Sequence, residues 1–305
     1  MRSGRIQNYR GDLVSLPRVT AVVLNWCGEV VTTDCLHSLL ASDYKALNPL
    51  LVDNGSPEDS VKRLRASFPT IDFLQNSRNL GYAGGNNRGI EQALGDDADY
   101  VLILNNDTVV EPDAVSKLVE TAETADGKVG GVVPKILYYD EPDRIWYGGG
   151  EFSSSHGLGI HWREGDIDRP EVREEILEVT FMTGACLLLS SKALHELNGF
   201  DEDYFAYVED AELSLRMLQA GYGMHYQPGA RVLHKCPLPG VPPSPFQIRQ
   251  RDRNRRRIMR THATLKERIL FLARFYLTRA ILFGRYMLTG QWQRARAILQ
   301  GISGS

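Results

Sequence analysis

The sequence predicts an α/β protein, a mostly parallel sheet flanked by helices and followed by a helical C-terminal extension. Three observations carry this. Apolar runs of strand length alternate with single helical stretches over the first 135 residues, which implies right-handed crossovers between parallel strands. Four of those runs end in polar clusters, and ligands of open α/β sheets gather at the carboxyl ends of the strands. The charge is also divided. From Arg249 to Ser305 there are 14 Lys/Arg against two acids, a balance of +12, which leaves −15 on residues 1–248. Such a split implies different partners for the two segments.

Taken in order, Val19–Trp26 is a near-continuous apolar run, as a strand buried on both faces requires. A helix is expected at 30–42, a strand at Leu50–Asp53, a helix at 58–67, a strand at Ile71–Gln75, a helix at 84–94 and a strand at Tyr100–Leu104. The glycines and serines of 147–155 read as a hairpin, and the acidic 164–178 as a mobile loop. Val179–Ser190 is apolar with small residues at its centre. A helix runs from Glu209 to Ala220, closed by Gly221. Five prolines between Pro237 and Pro245 form a strap, and helical patterns follow at 246–260, 262–288 and 291–300. Three units are therefore expected: an extension over 1–18, a catalytic domain over 19–236 that divides near 135, and the basic helical extension over 237–305.

At 43% hydrophobic and 24% charged the chain is an ordinary globular one, long enough to bury its own core. Its four cysteines show no C-x-x-C spacing and are expected reduced. The first 17 residues hold no signal-like apolar stretch, and nowhere do 18 apolar residues run uninterrupted. The protein is expected in the cytoplasm, peripheral at the inner face of a membrane.

The polar clusters carry the chemistry. Asp53 follows a buried strand and either turns the chain or accepts the N–H of a base or a ribose hydroxyl. The string Asn79-Leu-Gly-Tyr-Ala-Gly-Gly-Asn-Asn-Arg-Gly89 opens a helix with four glycines. It reads as a backbone cradle for phosphate, although it fits neither the dinucleotide nor the P-loop pattern. Asn105-Asn106-Asp107 places one carboxylate between amides, a set that suits a hard divalent ion keeping waters and phosphate oxygens. Glu209-Asp210 follows an aromatic segment that would line a pocket, where a carboxylate serves as general base. His234 ends a strand-like segment as either a structural imidazole or a metal ligand.

In order and spacing these elements resemble glycosyltransferase family 2, the inverting transferases with a GT-A, Rossmann-like fold, and in particular its rhamnosyltransferase-like branch. The resemblance covers about residues 19–236. Residues 22–28 (VVLNWCG) look like the family's opening strand, VDNGS at 52–56 like its nucleotide-base motif, and Asn105-Asn106-Asp107 like a variant of its D-x-D metal motif. Asn86 stands where many members carry Arg.

The resemblance implies donor contacts at Leu24, Asn25, Asp53, Asn54, Asn79, Gly81, Gly85, Asn86, Asn87, Asn105, Asn106 and Asp107. It implies Mg²⁺ or Mn²⁺ on Asp107 and His234, and Asp210 as catalytic base beside Glu209. A nucleoside diphosphate sugar, with dTDP-L-rhamnose leading and UDP-hexoses open, would pass its sugar to a glycan or lipid-linked acceptor. Two other readings compete: a silent sugar-nucleotide-binding protein of the same fold, and a nucleotidyltransferase. The second would show a basic phosphate loop after the first strand, where Asn25-Trp26-Cys27-Gly28 stands.

Arg249–Arg260 holds seven arginines in twelve residues without interleaved aromatics, so nucleic acid is not expected as a partner. The apolar residues of 269–288 do not collect on one helix face. That extension is expected to pack on the catalytic domain, to meet a second subunit, or to touch an anionic membrane.

Overall fold

The computed structural model of the chain describes residues 5–7, 13–169, 174–238 and 240–303. Part of the expected N-terminal extension, residues 170–173 of the acidic loop and Pro239 of the strap lie outside the described residues. A short hairpin, β1 (Arg5–Gln7) and β2 (Leu13–Ser15), precedes the main sheet. Then come β3 (Val19–Asn25), α1 (Glu29–Leu40), β4 (Leu47–Asp53), α2 (Glu58–Ser67), β5 (Asp72–Gln75), α3 (Gly81–Gly95), β6 (Tyr100–Asn105), β7 (Thr108–Val110) and α4 (Ala114–Thr124). The middle of the chain forms β8 (Val129–Tyr138), β9 (Ile145–Tyr147), β10 (Gly150–Ser153), β11 (Leu158–His161), β12 (Leu177–Glu178), β13 (Cys186–Ser190) and α5 (Ser191–Leu197). After a 3₁₀ turn at Glu202–Tyr204 follow α6 (Glu209–Gln219), β14 (Gly223–His234), α7 (Pro245–His262), α8 (Leu265–Leu288) and α9 (Trp292–Ser303).

The main sheet runs β12-β14-β8-β13-β6-β3-β4-β5. Strands β6, β3, β4 and β5 are mutually parallel, as the alternation of runs and helices requires. Their register places Asn25 opposite Asp53, Asp53 opposite Gln75 and Leu24 opposite Asn105. The polar clusters therefore share one edge of the sheet. Strand β13 is antiparallel to both its neighbours, while β8 and β14 pair in parallel. Only Cys186–Ser190 of the apolar 179–190 stretch is strand.

Strand β8 was not legible because it contains Gly130, Gly131 and Pro134. Proline is tolerated there because it faces Gln227 at a break in the β14 register, where a ladder bond is already lost.

The glycines of α3 serve packing. A Cβ on Gly89 would stand 2.3 Å from a Val22 methyl and 3.0 Å from one of Val52, side chains too stiff to give way. Gly85 meets Leu24 and Asn54 in the same manner. Gly89→Ala is expected to lose a net ~1–2 kcal/mol of stability, overpacking exceeding the gain in helix propensity. Thermal unfolding would show this as a lower midpoint.

Local signals also fix the extension. Ser244 and Gln247 form a reciprocal capping box with Pro245 in the first turn of α7, and Thr264 and Glu267 do the same for α8. The proline strap thus ends at a helix start. The lack of one apolar face on 269–288 has a structural reason. Phe271, Phe275 and Tyr286 point inward and are buried, while a second apolar row faces out.

Candidate active site

The turn Asn105–Asp107 leaves β6 and enters β7, which pairs antiparallel with the end of β14, Thr108 opposite His234. That pairing alone brings Asp107 to His234, with Nε2 3.2 Å from Oδ1. Thr108 Oγ1 donates to the Asn105 carbonyl at 2.7 Å, and the Lys235 amide donates to the Asp107 carbonyl at 2.8 Å, so the turn is pinned at both ends. His234 is buried with the Trp146 ring edge-on at 4.6 Å. Burial works against its proton, but the Asp107 carboxylate and Cys236 outweigh it and lift His234 to about 9.

The two side chains fit a divalent cation. Asp107 Oδ1 and His234 Nδ1 have no aligned hydrogen-bond partner, and the contact between the residues is a charge pairing without that alignment. Among the described residues there is no cluster of three or more His, Cys, Asp or Glu ligands. The rest of an ion's shell would then come from water and substrate oxygens, the habit of Mg²⁺ and its hard relatives.

Across the site, α6 begins at Glu209. Asp210 Oδ2 accepts from the Gly184 amide at 3.0 Å and Oδ1 from the Ala211 amide at 2.8 Å. The Asn105 amide donates to the Ala185 carbonyl at 3.0 Å. One short stretch, 184–185, thus ties the Asp107 turn to the Asp210 helix. Burial raises both carboxyls of the Glu209-Asp210 pair. Glu209 is raised well above the usual range by burial and by the neighbouring Asp210 charge, and its Oε2 has no partner. In Asp210 the two backbone amides oppose the effect of burial. The two carboxyls are thereby differentiated: burial and the Asp210 charge disfavour the ionised form of Glu209, whereas backbone amides and Arg251 favour that of Asp210.

The polar residues at the ends of β3, β4 and β5 bond mainly to one another. Asp53 is fully buried and accepts from Asn25 Nδ2 at 2.9 Å, Gly55 N at 3.2 Å and Ser56 N at 2.9 Å. Asn54 donates to Asn79 Oδ1 and the Gly81 carbonyl, and accepts from Asn76 and the Leu80 amide. Asn106 reaches Thr32 Oγ1 at 2.9 Å and Asn25 Oδ1 at 3.3 Å. Asn86 is buried, donates to the Tyr82 carbonyl and leaves its own oxygen unpaired.

The glycine string is not an open phosphate cradle. The amides at the start of α3 are already taken, Leu80 by Asn54, Gly81 by Asn79, and both Tyr82 and Ala83 by the Phe205 carbonyl at 2.6 and 3.2 Å. Gly81, at φ +78, has no room for a Cβ beneath Phe205. Asn87 is likewise taken up within the fold, bonding the Phe200 amide, the Phe200 carbonyl and Glu202.

Two residues without a role in the sequence reading stand out. Tyr82 donates to the Gly184 carbonyl at 2.5 Å, and its hydroxyl is raised well above its usual value, first by burial and then by the charges of Glu209, Asp210 and Asp107. Its hydroxyl thus bonds the same residue whose amide holds Asp210. Its signal was present, as the aromatic inside a glycine string. Asn254 gave none. From α7 its amide donates to the carbonyls of Tyr204 at 2.7 Å, Ala206 at 3.0 Å and Tyr207 at 2.7 Å. That segment is strained, with Phe205, Tyr207 and Val208 at φ 59, 69 and 75, a conformation costly for any β-branched residue and common where function demands it. Arg251 of α7 adds a positive charge that favours the ionised form of Asp210.

Residues 17–261 match the family described as glycosyltransferase like family 2. Among relatives, the N-acetylglucosaminyl-diphospho-decaprenol L-rhamnosyltransferase of Mycobacterium tuberculosis is 31% identical over 220 residues, 65% of this chain and 70% of that one. Among solved structures, GalNAc-T7 with UDP, GalNAc and Mn²⁺ superposes with a TM-score of 0.63 at 18% identity. That alignment covers 80% of this chain but about half, 48%, of that one. A mannosyltransferase of Pyrobaculum calidifontis in complex with GDP-Man and Mn²⁺ superposes with a TM-score of 0.56 at 15% identity, over 94% and 86% of the two chains. The sheet order, the acidic turn facing a carboxylate helix and the match over residues 17–261 lead to one assignment: the chain belongs to glycosyltransferase family 2, on a GT-A-type α/β fold, and is a glycosyltransferase.

Proposed function

We propose that this transferase moves a sugar from a nucleoside diphosphate sugar, dTDP-L-rhamnose first among them, to a hydroxyl of a lipid-linked glycan, with inversion. The observation that carries the reading is the joint anchoring of Asp107–His234 and Asp210 on residues 184–185. Inversion needs a base on one side of the anomeric carbon and charge stabilisation on the other, and the two groups stand on separate elements facing one site. Asp210 takes the acceptor proton while the Gly184 and Ala211 amides hold its carboxylate in place. Asp107 and His234 would hold Mg²⁺ or Mn²⁺, which supplies neutralisation of the leaving diphosphate. The name of the mycobacterial relative, a rhamnosyltransferase acting on a decaprenol-linked diphosphate sugar, supports the acceptor class and the rhamnosyl donor.

In this reading residues 19–135 receive the donor and 136–236 the acceptor. The network of Asp53, Asn54 and Asn79 would shape the donor side through its backbone, with the partly buried Leu24 and Asn105 on the neighbouring strand ends.

Calorimetry with dTDP-rhamnose, UDP-glucose, UDP-galactose and GDP-mannose, each with and without Mn²⁺ or Mg²⁺, tests this. The expected result is metal-dependent binding of dTDP-rhamnose, weakened at least about tenfold, ~1.4 kcal/mol, by Asp107→Ala or His234→Ala. Binding that ignores both metal and these substitutions would overturn the metal assignment, and binding of UDP-hexoses alone would overturn the donor.

A further inference from the structure

Helix α8 carries apolar side chains on two sides. Phe271 and Phe275 are buried beneath the Arg255 guanidinium, and Tyr286 is buried further along. The opposite side is uncovered. Ile269, Leu270, Leu277, Ile281 and Leu288 recur at helical spacing and are exposed, Leu288 at 91%. Ala273, Ala280 and Gly284 fill the same arc, so no charged residue interrupts it between 269 and 288. At 1.5 Å per residue this is a dry stripe ~29 Å long. No described helix is long and apolar enough to cross a membrane, and an anchored helix with an apolar outer row is the pattern of one that lies in an interface.

The charges say which interface. On α7, α8 and α9, Arg253, Arg260, Lys266, Arg268, Arg285 and Arg296 have no acidic partner among the described residues. Several other arginines of the unit are engaged, as Arg257 is with Asp201 and Asp203 and Arg279 with Asp252.

We infer that the outer face of α8 lies in the headgroup boundary of an anionic bilayer leaflet, with the unpaired cations of α7–α9 at the level of the lipid phosphates. A second copy of the chain could cover the same stripe, but a two-fold pairing would set this cationic unit against itself, whereas anionic lipid neutralises it. The inference deepens the lipid-linked acceptor reading and rests on it for its purpose. Helix α7 holds the segment before Asp210 through Asn254, and α8 packs beneath Arg255 of that same helix. The base is thus one helix away from the surface on which such an acceptor is embedded.

The test is flotation of the full chain with phosphatidylglycerol-containing vesicles and with pure phosphatidylcholine vesicles. Wild-type protein is expected to float with the anionic vesicles and to be released by salt. Leu277→Glu combined with Ile281→Glu is expected to cut that partition at least about tenfold. Its melting midpoint should not change, because both side chains are exposed. Equal binding of variant and wild type would overturn the inference, as would no binding of wild type to anionic vesicles. A wild-type dimer that the double substitution splits, with vesicle binding untouched, would make the face a subunit interface and overturn it too. Flotation reads no donor and no turnover, so failure of the donor panel leaves this result standing, and the reverse.

Discussion

Asp210→Asn is expected to lower kcat about 10²–10⁴-fold, the range for loss of a general base, while donor binding measured by calorimetry is unchanged. Asparagine keeps one oxygen for the Gly184 amide and gives up the acceptor of the Ala211 amide, so the helix start loses one hydrogen bond along with the proton acceptor. Glu209→Gln should behave in the opposite way. Burial and the Asp210 charge disfavour the ionised form of Glu209, so the neutral amide is expected to be tolerated and most activity to remain. The sign of the pH dependence follows. Burial raises the Asp210 carboxyl, and its protonated form cannot accept, so kcat/KM falls as pH drops through a value above the usual aspartate range. Activity in Asp210→Asn within tenfold of wild type would remove Asp210 as the base.

Asn254→Ala should have the second-largest effect, although Asn254 is expected to touch no substrate. It removes the N–H donors of three carbonyls in a segment whose φ values are already unfavourable. The cost to stability is about 1–3 kcal/mol, readable by denaturant unfolding. A shift of the base by ~1 Å costs kcat up to about 10²-fold, with donor affinity preserved because the donor side is built on other strands. Asn254→Asp separates bonding from volume. It fills the same space, offers no N–H and turns a carboxylate toward carbonyl oxygens, so it should be at least as impaired as the alanine variant. Recovery of wild-type kcat by aspartate would show that shape alone matters.

The sequence showed the parallel half of the sheet clearly, because runs such as Val19–Asn25 are apolar throughout and end in polar residues at matching register. It did not show β8, where Gly130, Gly131 and Pro134 look like a turn, nor that β13 would insert antiparallel between β6 and β8. Asp107 and His234 were each readable as candidates, but their meeting depends on β7 pairing with β14, a contact between segments more than a hundred residues apart. The glycine string shows a different limit. Glycine marks close backbone approach whatever the neighbour is, and at Gly81, Gly85 and Gly89 the neighbours are Phe205, Leu24 and Val22. Asn254 sits within a run of arginines, where one buried amide leaves no pattern. Only the fold reveals that its partners are carbonyls.

The clamp also has a consequence in time. The three carbonyls precede Asn254 by 50, 48 and 47 residues. Translation at roughly 5–20 residues per second therefore delivers the segment before Asp210 some seconds before the amide that restrains it. A nascent chain released as far as β14 holds every strand of the main sheet while that segment is still relaxed. Until α7 emerges and docks, the Tyr204–Val208 segment of the newborn chain goes without the three hydrogen bonds that hold it, and its strained conformation must wait for them.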